Sequence, residues 1–319
     1  MTLPKIPSPY IICIYGPTGV GKTAFVRQLA RKLPIEVINM DIGQMYQPLT
    51  IGTAKPDWRN EPVAHHMFDV FDCPHDYSVA TYRADVQKLI TQIVSRGNIP
   101  VLVGGSGFYL YNLLFPVNEN ITINHSSDDY KDKSTHELWQ LLNDIDPVRA
   151  QQIHSNDRYR IQRGLLLWKA TGKKPSEQVP EYNALMAMIV VELERDRTEL
   201  YKQINSRVVQ MLADGWQQEV EQLRGTKWET FVLRKGLIGY TELLQDQKEE
   251  SSVIIESIAQ QTRNYAKQQM SFGRMIAKKL DLCNATLHQK PTYFYRCNLT
   301  FAPLDLYLKQ LIEWTHPNR

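Results

Sequence analysis

Eight consecutive residues restrict the possible folds of this chain more than any other segment. Gly16-Pro17-Thr18-Gly19-Val20-Gly21-Lys22-Thr23 satisfies G-x-x-x-x-G-K-[ST] in full. Before it, Tyr10 to Tyr15 is a short apolar run of strand type. After it, Thr23 to Leu33 places Phe25, Val26, Leu29 and Ala30 at helical spacing. Strand, glycine-rich loop and helix in that order make a phosphate cradle. The glycines let consecutive backbone N–H groups converge, and the helix N-terminus adds partial positive charge. Lys22 brings a full charge to phosphate oxygens, and Thr23 a hydroxyl suited to Mg²⁺. All eight residues are therefore candidates for diphosphate binding, and Thr23 is the candidate metal ligand.

Such a loop specifies a polyphosphate or a diphosphate, not a nucleotide. Motor-type ATPases and GTPases hold their metal with a second acid. Here the apolar run Ile99 to Val103 ends in Gly104-Gly105, and only the run Glu36 to Met40 ends in an acid, Asp41. That argues against a motor ATPase and leaves small-molecule kinases and other diphosphate chemistry open. In open parallel sheets ligands bind at the carboxyl ends of the strands. Asp41 is thus placed beside the cradle, where it can take a proton from an attacking group. The plainer reading of Asp41 is a loop or capping aspartate.

The remaining pattern predicts an α/β fold: a P-loop NTPase-like parallel sheet with flanking helices and an inserted, mainly helical subdomain. Val79 to Ser95 reads as a helix. Polar residues from Pro116 to Tyr130 read as a loop opening the insertion. Leu138 to Ile153 and Arg158 to Ala170 read as its helices, and Ala187 to Leu193 as the strand that resumes the sheet. Thr198 to Leu223 reads as a helix or a pair broken near Gly215, and Ser251 to Leu280 as another helix. The expected division is 8–115 with 185–280 as the core, 116–184 as the insertion, and 281–319 as a tail of unassigned role.

The helix from Ser257 to Leu280 holds Arg263, Lys267, Arg274, Lys278 and Lys279 and no Asp or Glu. At 100° per residue the first four fall within about 60°, a basic stripe about 22 Å long. Ile258, Tyr265, Phe272 and Ile276 fall opposite, as a core face. Such a stripe suits a phosphate backbone. A solvated basic face is the plainer alternative. Arg158, Arg160 and Arg163 form a second local cluster. Net charge is only +3, so any nucleic-acid surface has to be local.

Other classes are disfavoured. No apolar run approaches the ~20 residues that span a bilayer. Met1 to Pro9 lacks a signal-peptide pattern. The four cysteines, Cys13, Cys73, Cys283 and Cys297, are widely spaced. A cytoplasmic protein without a disulfide-linked partner is expected. His65 and His66 are adjacent, a poor spacing for one metal.

Several blocks together resemble the tRNA dimethylallyltransferase family. Asp41-Ile42-Gly43-Gln44-Met45-Tyr46 followed by Ile51-Gly52-Thr53-Ala54-Lys55-Pro56 is similar to its D-S-x-Q-V-Y…I-G-T-A-K-P signature. Further matches are His65-His66-Met67-Phe68-Asp69, Val103-Gly104-Gly105-Ser106-Gly107-Phe108-Tyr109, and Asn156-Asp157-Arg158-Tyr159-Arg160-Ile161 with Arg163. Glu194-Arg195, the helix Leu200 to Gly215, Ile238-Gly239-Tyr240, and Thr262 to Gln269 complete the set, over roughly residues 8 to 280.

The resemblance implies transfer of a five-carbon prenyl group from dimethylallyl diphosphate to the N6 amine of adenosine 37, beside the anticodon of tRNA, with Mg²⁺ as cofactor. It implies catalytic roles for Asp41, Ser106 and Arg207. Asp41 would orient N6 and take its proton, Ser106 would hydrogen-bond near the bridging oxygen, and Arg207 would grip the diphosphate through its fork of donors. It implies contacts to the tRNA anticodon stem-loop from Asp41, Ile42, Gly43, Gln44, Tyr159, Arg160, Ile161, Gln162, Arg163, Arg263 and Lys267. Gln44 would read an adenine edge. The target base has to leave its stack to reach a buried site. A monomer is expected. The chain departs from the pattern at Ile42, where the family has serine, and at Gln203 and Gln268, which often correspond to arginine. The rival readings are a prenyltransferase acting on free AMP or ADP, and a P-loop kinase.

Overall fold

The computed structural model describes residues 6–116, 130–245 and 251–315. The strands are β1 (Tyr10–Tyr15), β2 (Ile35–Asn39), β3 (His65–His66), β4 (Ile99–Gly104), β5 (Ala187–Glu194) and β6 (Thr292–Asn298). They form one sheet in the order β3-β2-β4-β1-β5-β6, with every neighbouring pair parallel. β1 lies inside the sheet and is buried at all six positions. That explains why it reads as a continuous apolar run with no alternation, as strands covered on both faces do.

The helices are α1 (Lys22–Ala30), α2 (Val79–Ser95), α3 (Gly107–Leu114), α4 (Thr135–Ile145), α5 (Pro147–Gln151), α6 (Arg158–Thr171), α7 (Arg197–Ala213), α8 (Trp216–Glu221), α9 (Lys227–Lys235), α10 (Tyr240–Gln245), α11 (Ser251–Leu282) and α12 (Leu304–Thr315). The chain divides into two compact units, Met1–Leu114 with Ala184–Arg319, and Phe115–Asn183. The first is the α/β body. The second has its own small core of Leu138, Leu142, Ala150, Ile153, Ile161 and Leu165.

Three local outcomes differ from the sequence pattern. The helix expected over 138–153 is two helices, α4 and α5. Pro147 cannot continue the hydrogen-bond ladder, and Asp146 caps the new start by accepting the Arg149 N–H at 3.0 Å. The long element over 198–223 is a pair, parted at Gly215, whose φ of 103° is left-handed. The tail beyond 281 is structured: β6 extends the sheet beside β5, and Leu308 and Leu311 of α12 are buried in the main core. The loop expected over 116–130 lies, apart from its ends, outside the described residues.

The buried face of α11 is rotated from the one that large apolar residues predict. It keeps the expected Ile258 and Ile276 and otherwise follows Ala259, Arg263, Ala266, Gln269, Gly273 and Leu280. Small residues drive this. A Cβ at Gly273 would lie 2.0 Å from Glu192 Oε1 and 2.9 Å from the Tyr15 ring, so glycine there lets the helix close onto β1 and β5. Tyr265 leaves the core for the edge of a cavity, and Arg263 is buried.

Candidate active site

The carboxyl ends of β1, β2 and β4 open into a cavity of about 1130 Å³. Its wall takes Thr18, Gly19, Gly21, Lys22 and Thr23 from the P-loop, and Asp41 to Gln44 from the turn after β2. Gly104 and Gly105 come from the end of β4, Gln203 and Arg207 from α7, and Tyr265, Gln268 and Gln269 from α11. Positions far apart in sequence thus converge because parallel strands deliver their following loops to one edge.

The cradle has the form the motif predicts. Gly16, Gly19 and Gly21 all have positive φ, at 153°, 79° and 110°. Gly21 starts α1 without a side-chain cap. The N–H groups of Gly21, Lys22 and Thr23 accordingly find no acceptor among the described residues, which leaves them for an anion. Lys22 Nζ donates to the carbonyls of Gly16 and Pro17, both at 2.9 Å. Burial pushes its ammonium down to about 8, with Arg207 adding to the effect and Asp41 opposing it.

Asp41 is held from both sides. Asn39 Oδ1 accepts the Asp41 N–H at 2.9 Å, and Asn39 Nδ2 donates to the Asp41 carbonyl at 2.8 Å. The Asp41 carboxylate caps a short 3₁₀ turn, Ile42–Met45, by accepting the Gly43 N–H at 3.0 Å. The capping and site readings therefore both hold, since one oxygen caps and the carboxylate still borders the cavity. Burial raises its affinity for a proton, against the opposing pull of the Gly43 N–H, Lys22 and Arg207. Burial likewise lowers the Arg207 guanidinium, opposed by Asp41. One carboxylate and two cations share a poorly solvated space. The arrangement suits a leaving anion on one side and a proton acceptor on the other.

The G-T-A-K-P segment shapes the wall. Glu219 accepts the N–H groups of Thr50 at 3.0 Å, Ile51 at 2.7 Å and Gly52 at 3.1 Å, and the Tyr240 hydroxyl at 2.6 Å. A Cβ at Gly52 would lie 2.2 Å from Trp216 Nε1. Lys55 Nζ donates to the Tyr46 carbonyl at 2.8 Å and pairs with Asp69. Ala54 is held at a φ of 51°, a strained value of the kind that concentrates at functional sites. Gln44 Nε2 donates to the carbonyls of Thr53 at 3.0 Å and Ala54 at 3.3 Å. The Gln44 amide nitrogen is thus engaged by the protein's own backbone.

Not every residue singled out from sequence reaches this place. Ser106 is not among the cavity-lining residues; its hydroxyl accepts the Tyr109 N–H at 3.4 Å at the start of α3. Arg263 leaves the expected stripe. Its guanidinium donates to Asn205, Glu256 and Gln260 at 2.6–2.7 Å. Lys267, Arg274 and Lys278 remain exposed. In the second unit Tyr159 is 67% exposed. Arg160 is exposed beside Asp157 at 3.3 Å, and Gln162 and Arg163 are half-buried. Ile161 is fully buried in that unit's core, so its side chain packs the helix and presents nothing to RNA. Arg158 is tied to the carbonyls of Tyr130 and Lys133, both at 2.7 Å. Asn39 and Glu219 are site-forming residues with no local sequence signal, and Gln269 is marked in the sequence only as the end of the Thr262 to Gln269 block.

Comparison with known proteins agrees with this geometry. The model of the IPP transferase family matches residues 44–275, and that of isopentenyl transferases matches residues 9–62. A tRNA dimethylallyltransferase of Petrotoga mobilis is 36% identical over 276 residues, covering 83% of this chain and 91% of that protein. One from Thermotoga maritima is 33% identical over 269 residues, covering 82% and 88%. A solved eukaryotic dimethylallyltransferase acting on tRNA superposes with a TM-score of 0.76 at 28% identity, covering 96% of this chain and 78% of that one. The tRNA isopentenylpyrophosphate transferase of Staphylococcus epidermidis gives 0.63 at 26% identity, covering 98% and 100%. The chain belongs to the IPP transferase family, the family of the tRNA dimethylallyltransferases.

Proposed function

We propose that this protein transfers a dimethylallyl group from dimethylallyl diphosphate to the N6 amine of adenosine 37 in tRNA, releasing diphosphate. The observation that carries this reading is the single cavity bordered by the P-loop, Lys22 and Arg207 together with Asp41. The new bond joins N6 to the first carbon of the donor as that carbon's bond to the diphosphate oxygen breaks. The electron pair of the broken bond leaves with the diphosphate, and N6 gives up a proton to Asp41. Adenine N6 is a weak nucleophile because its lone pair is delocalised into the ring. A carboxylate that orients and deprotonates it contributes about 10²- to 10⁴-fold. The unpaired P-loop N–H groups, Lys22 and Arg207 meet the charge that develops on the leaving group.

The site fits Mg²⁺ through its donor set. Thr23, in the first turn of α1, borders the cavity and carries a hydroxyl, and no cluster of three His, Cys, Asp or Glu among the described residues would hold the ion alone. Thr23 would help hold it, and it would supply further charge neutralisation of the leaving group.

The anticodon stem-loop is the partner this reading requires. Gln44 offers its amide oxygen to the N6 hydrogens. Lys267, Arg274 and Lys278 on α11, and Tyr159, Arg160 and Arg163 on α6, offer charge and an aromatic face to RNA. Ile42 and Gly43 shape the turn that presents Gln44.

The test is isotope-labelled dimethylallyl diphosphate offered with tRNA lacking the modification, with free AMP, and with ATP as a control phosphate donor. Label in N6 of tRNA adenosine is expected. Label in AMP, or phosphate transfer from ATP, overturns the reading.

A further inference from the structure

The side chain of Gln269 is the link between the two halves of the site. Its Oε1 accepts the Thr18 N–H at 2.9 Å, and its Nε2 donates to the Gly105 carbonyl at 2.9 Å. Tyr265, one turn earlier on α11, lines the same cavity as Gln269 and Asp41. The Gln269 carbonyl accepts the Tyr15 hydroxyl at 2.5 Å. One buried residue therefore touches the lip of the P-loop, the turn after β4 and the end of β1. Gly105 is shaped around it: a Cβ there would lie 2.1 Å from Gln269 Nε2. The Thr18 N–H is one of the cavity-lining P-loop groups and the only one of them that a side chain from another element accepts among the described residues.

We propose that Gln269 is a positioning residue for prenyl transfer, setting the spacing between the diphosphate seat in the P-loop and the acceptor amine at Asp41. The proposal rests on the reading of this cavity as a prenyl-transfer site. Fixing Thr18 pins the leading edge of the loop, so the N–H groups of Gly21, Lys22 and Thr23 stay aimed at one point. Fixing the Gly105 carbonyl from the same amide ties the loop to the end of β4, the strand that pairs with β2, which Asp41 follows. A bound donor and a bound base then meet at a set distance, and small errors in such placement cost rate steeply. A residue that only supported the fold would affect both substrates alike. Gln269 acts on the donor side and on the approach of the reacting atoms.

The experiment compares wild type with Gln269→Met, which keeps length and burial but removes the amide, and with Gly105→Ala, which displaces the amide while leaving Gln269 in place. Binding of inorganic diphosphate with Mg²⁺, binding of an anticodon stem-loop RNA, and single-turnover transfer are measured, with circular dichroism to confirm folding. In both variants diphosphate affinity is expected to weaken about tenfold, the loss of two or so ordinary hydrogen bonds. The transfer rate at saturating donor is expected to fall by a further factor of ten or more, while RNA affinity stays within about twofold. Unchanged diphosphate binding in a folded Gln269→Met overturns the proposal, as does equal weakening of both ligands. If Gln269→Met fails to fold, Gly105→Ala decides between the same outcomes. Absence of transfer by wild type, with diphosphate binding still sensitive to Gln269→Met, refutes the reaction and not the role of Gln269 in the cradle.

Discussion

Arg263 Nη1 donates to Asn205 Oδ1 at 2.7 Å, tying α11 to α7. This takes the arginine off the basic face on which its spacing placed it, and leaves Lys267, Arg274 and Lys278 as the exposed cations of that face. The two kinds of cation are predicted to behave differently. Replacing Lys267, Arg274 or Lys278 with glutamine should each lower the slope of log affinity for RNA against log salt by about 0.7–0.9. Arg263→Gln should leave that slope unchanged and lower stability by about 1–3 kcal/mol, through loss of its buried bonds. Salt titrations of RNA binding, together with thermal melts, separate the two.

Lys22 predicts a pH dependence. Its burial places its ionisation at about 8, below the ordinary lysine range. The lysine is cationic well below that value, half-charged at it, and loses its charge as pH rises through it. The Lys22 contribution to donor affinity should therefore be level below about pH 7 and weaken as pH rises through 8. Lys22→Arg keeps its charge throughout, so the weakening that belongs to Lys22 should vanish in that variant. Calorimetric titration of a prenyl diphosphate analogue between pH 7 and 9 measures it.

Glu219 is predicted to matter more than a helix-surface glutamate. Glu219→Ala leaves the N–H groups of Thr50, Ile51 and Gly52 without their acceptor. That should cost about 2–4 kcal/mol and raise the KM for RNA, because Gln44 is anchored to the carbonyls that follow. Urea denaturation with steady-state kinetics checks both parts.

The tail should prove part of the fold. Leu311 of α12 is fully buried in the main core, whereas Phe301 is 80% exposed. Leu311→Ala should lower stability by about 2–5 kcal/mol. Phe301→Ser should change it by less than about 0.5 kcal/mol. Denaturation midpoints of the two variants decide.

What the sequence made legible was local. The P-loop, its strand and helix, and the acid at the end of β2 lie within short windows, and their chemistry follows from residue type and spacing. The helix α2 was legible from end to end, and the break at Gly215 from the need for a left-handed residue. The rest depends on contacts across long separations. Gln269 reaches Thr18 over 251 positions and Glu219 reaches Thr50 over 169, and neither leaves a periodic trace. The face of α11 was legible in part: Ile258 and Ile276 are buried as expected, but periodicity weights large apolar side chains. Ala266 and Gly273, which are small, decide how closely the helix packs. The strand β6 was missed because its edge position leaves it half-exposed and weakly patterned.

Single-turnover transfer by Asp41→Ala, with saturating RNA, tests the central claim most directly. The account predicts that the rate falls by about 10²- to 10⁴-fold while donor affinity stays within a few-fold, since the P-loop, Lys22 and Arg207 are intact. A normal single-turnover rate in that variant would contradict it.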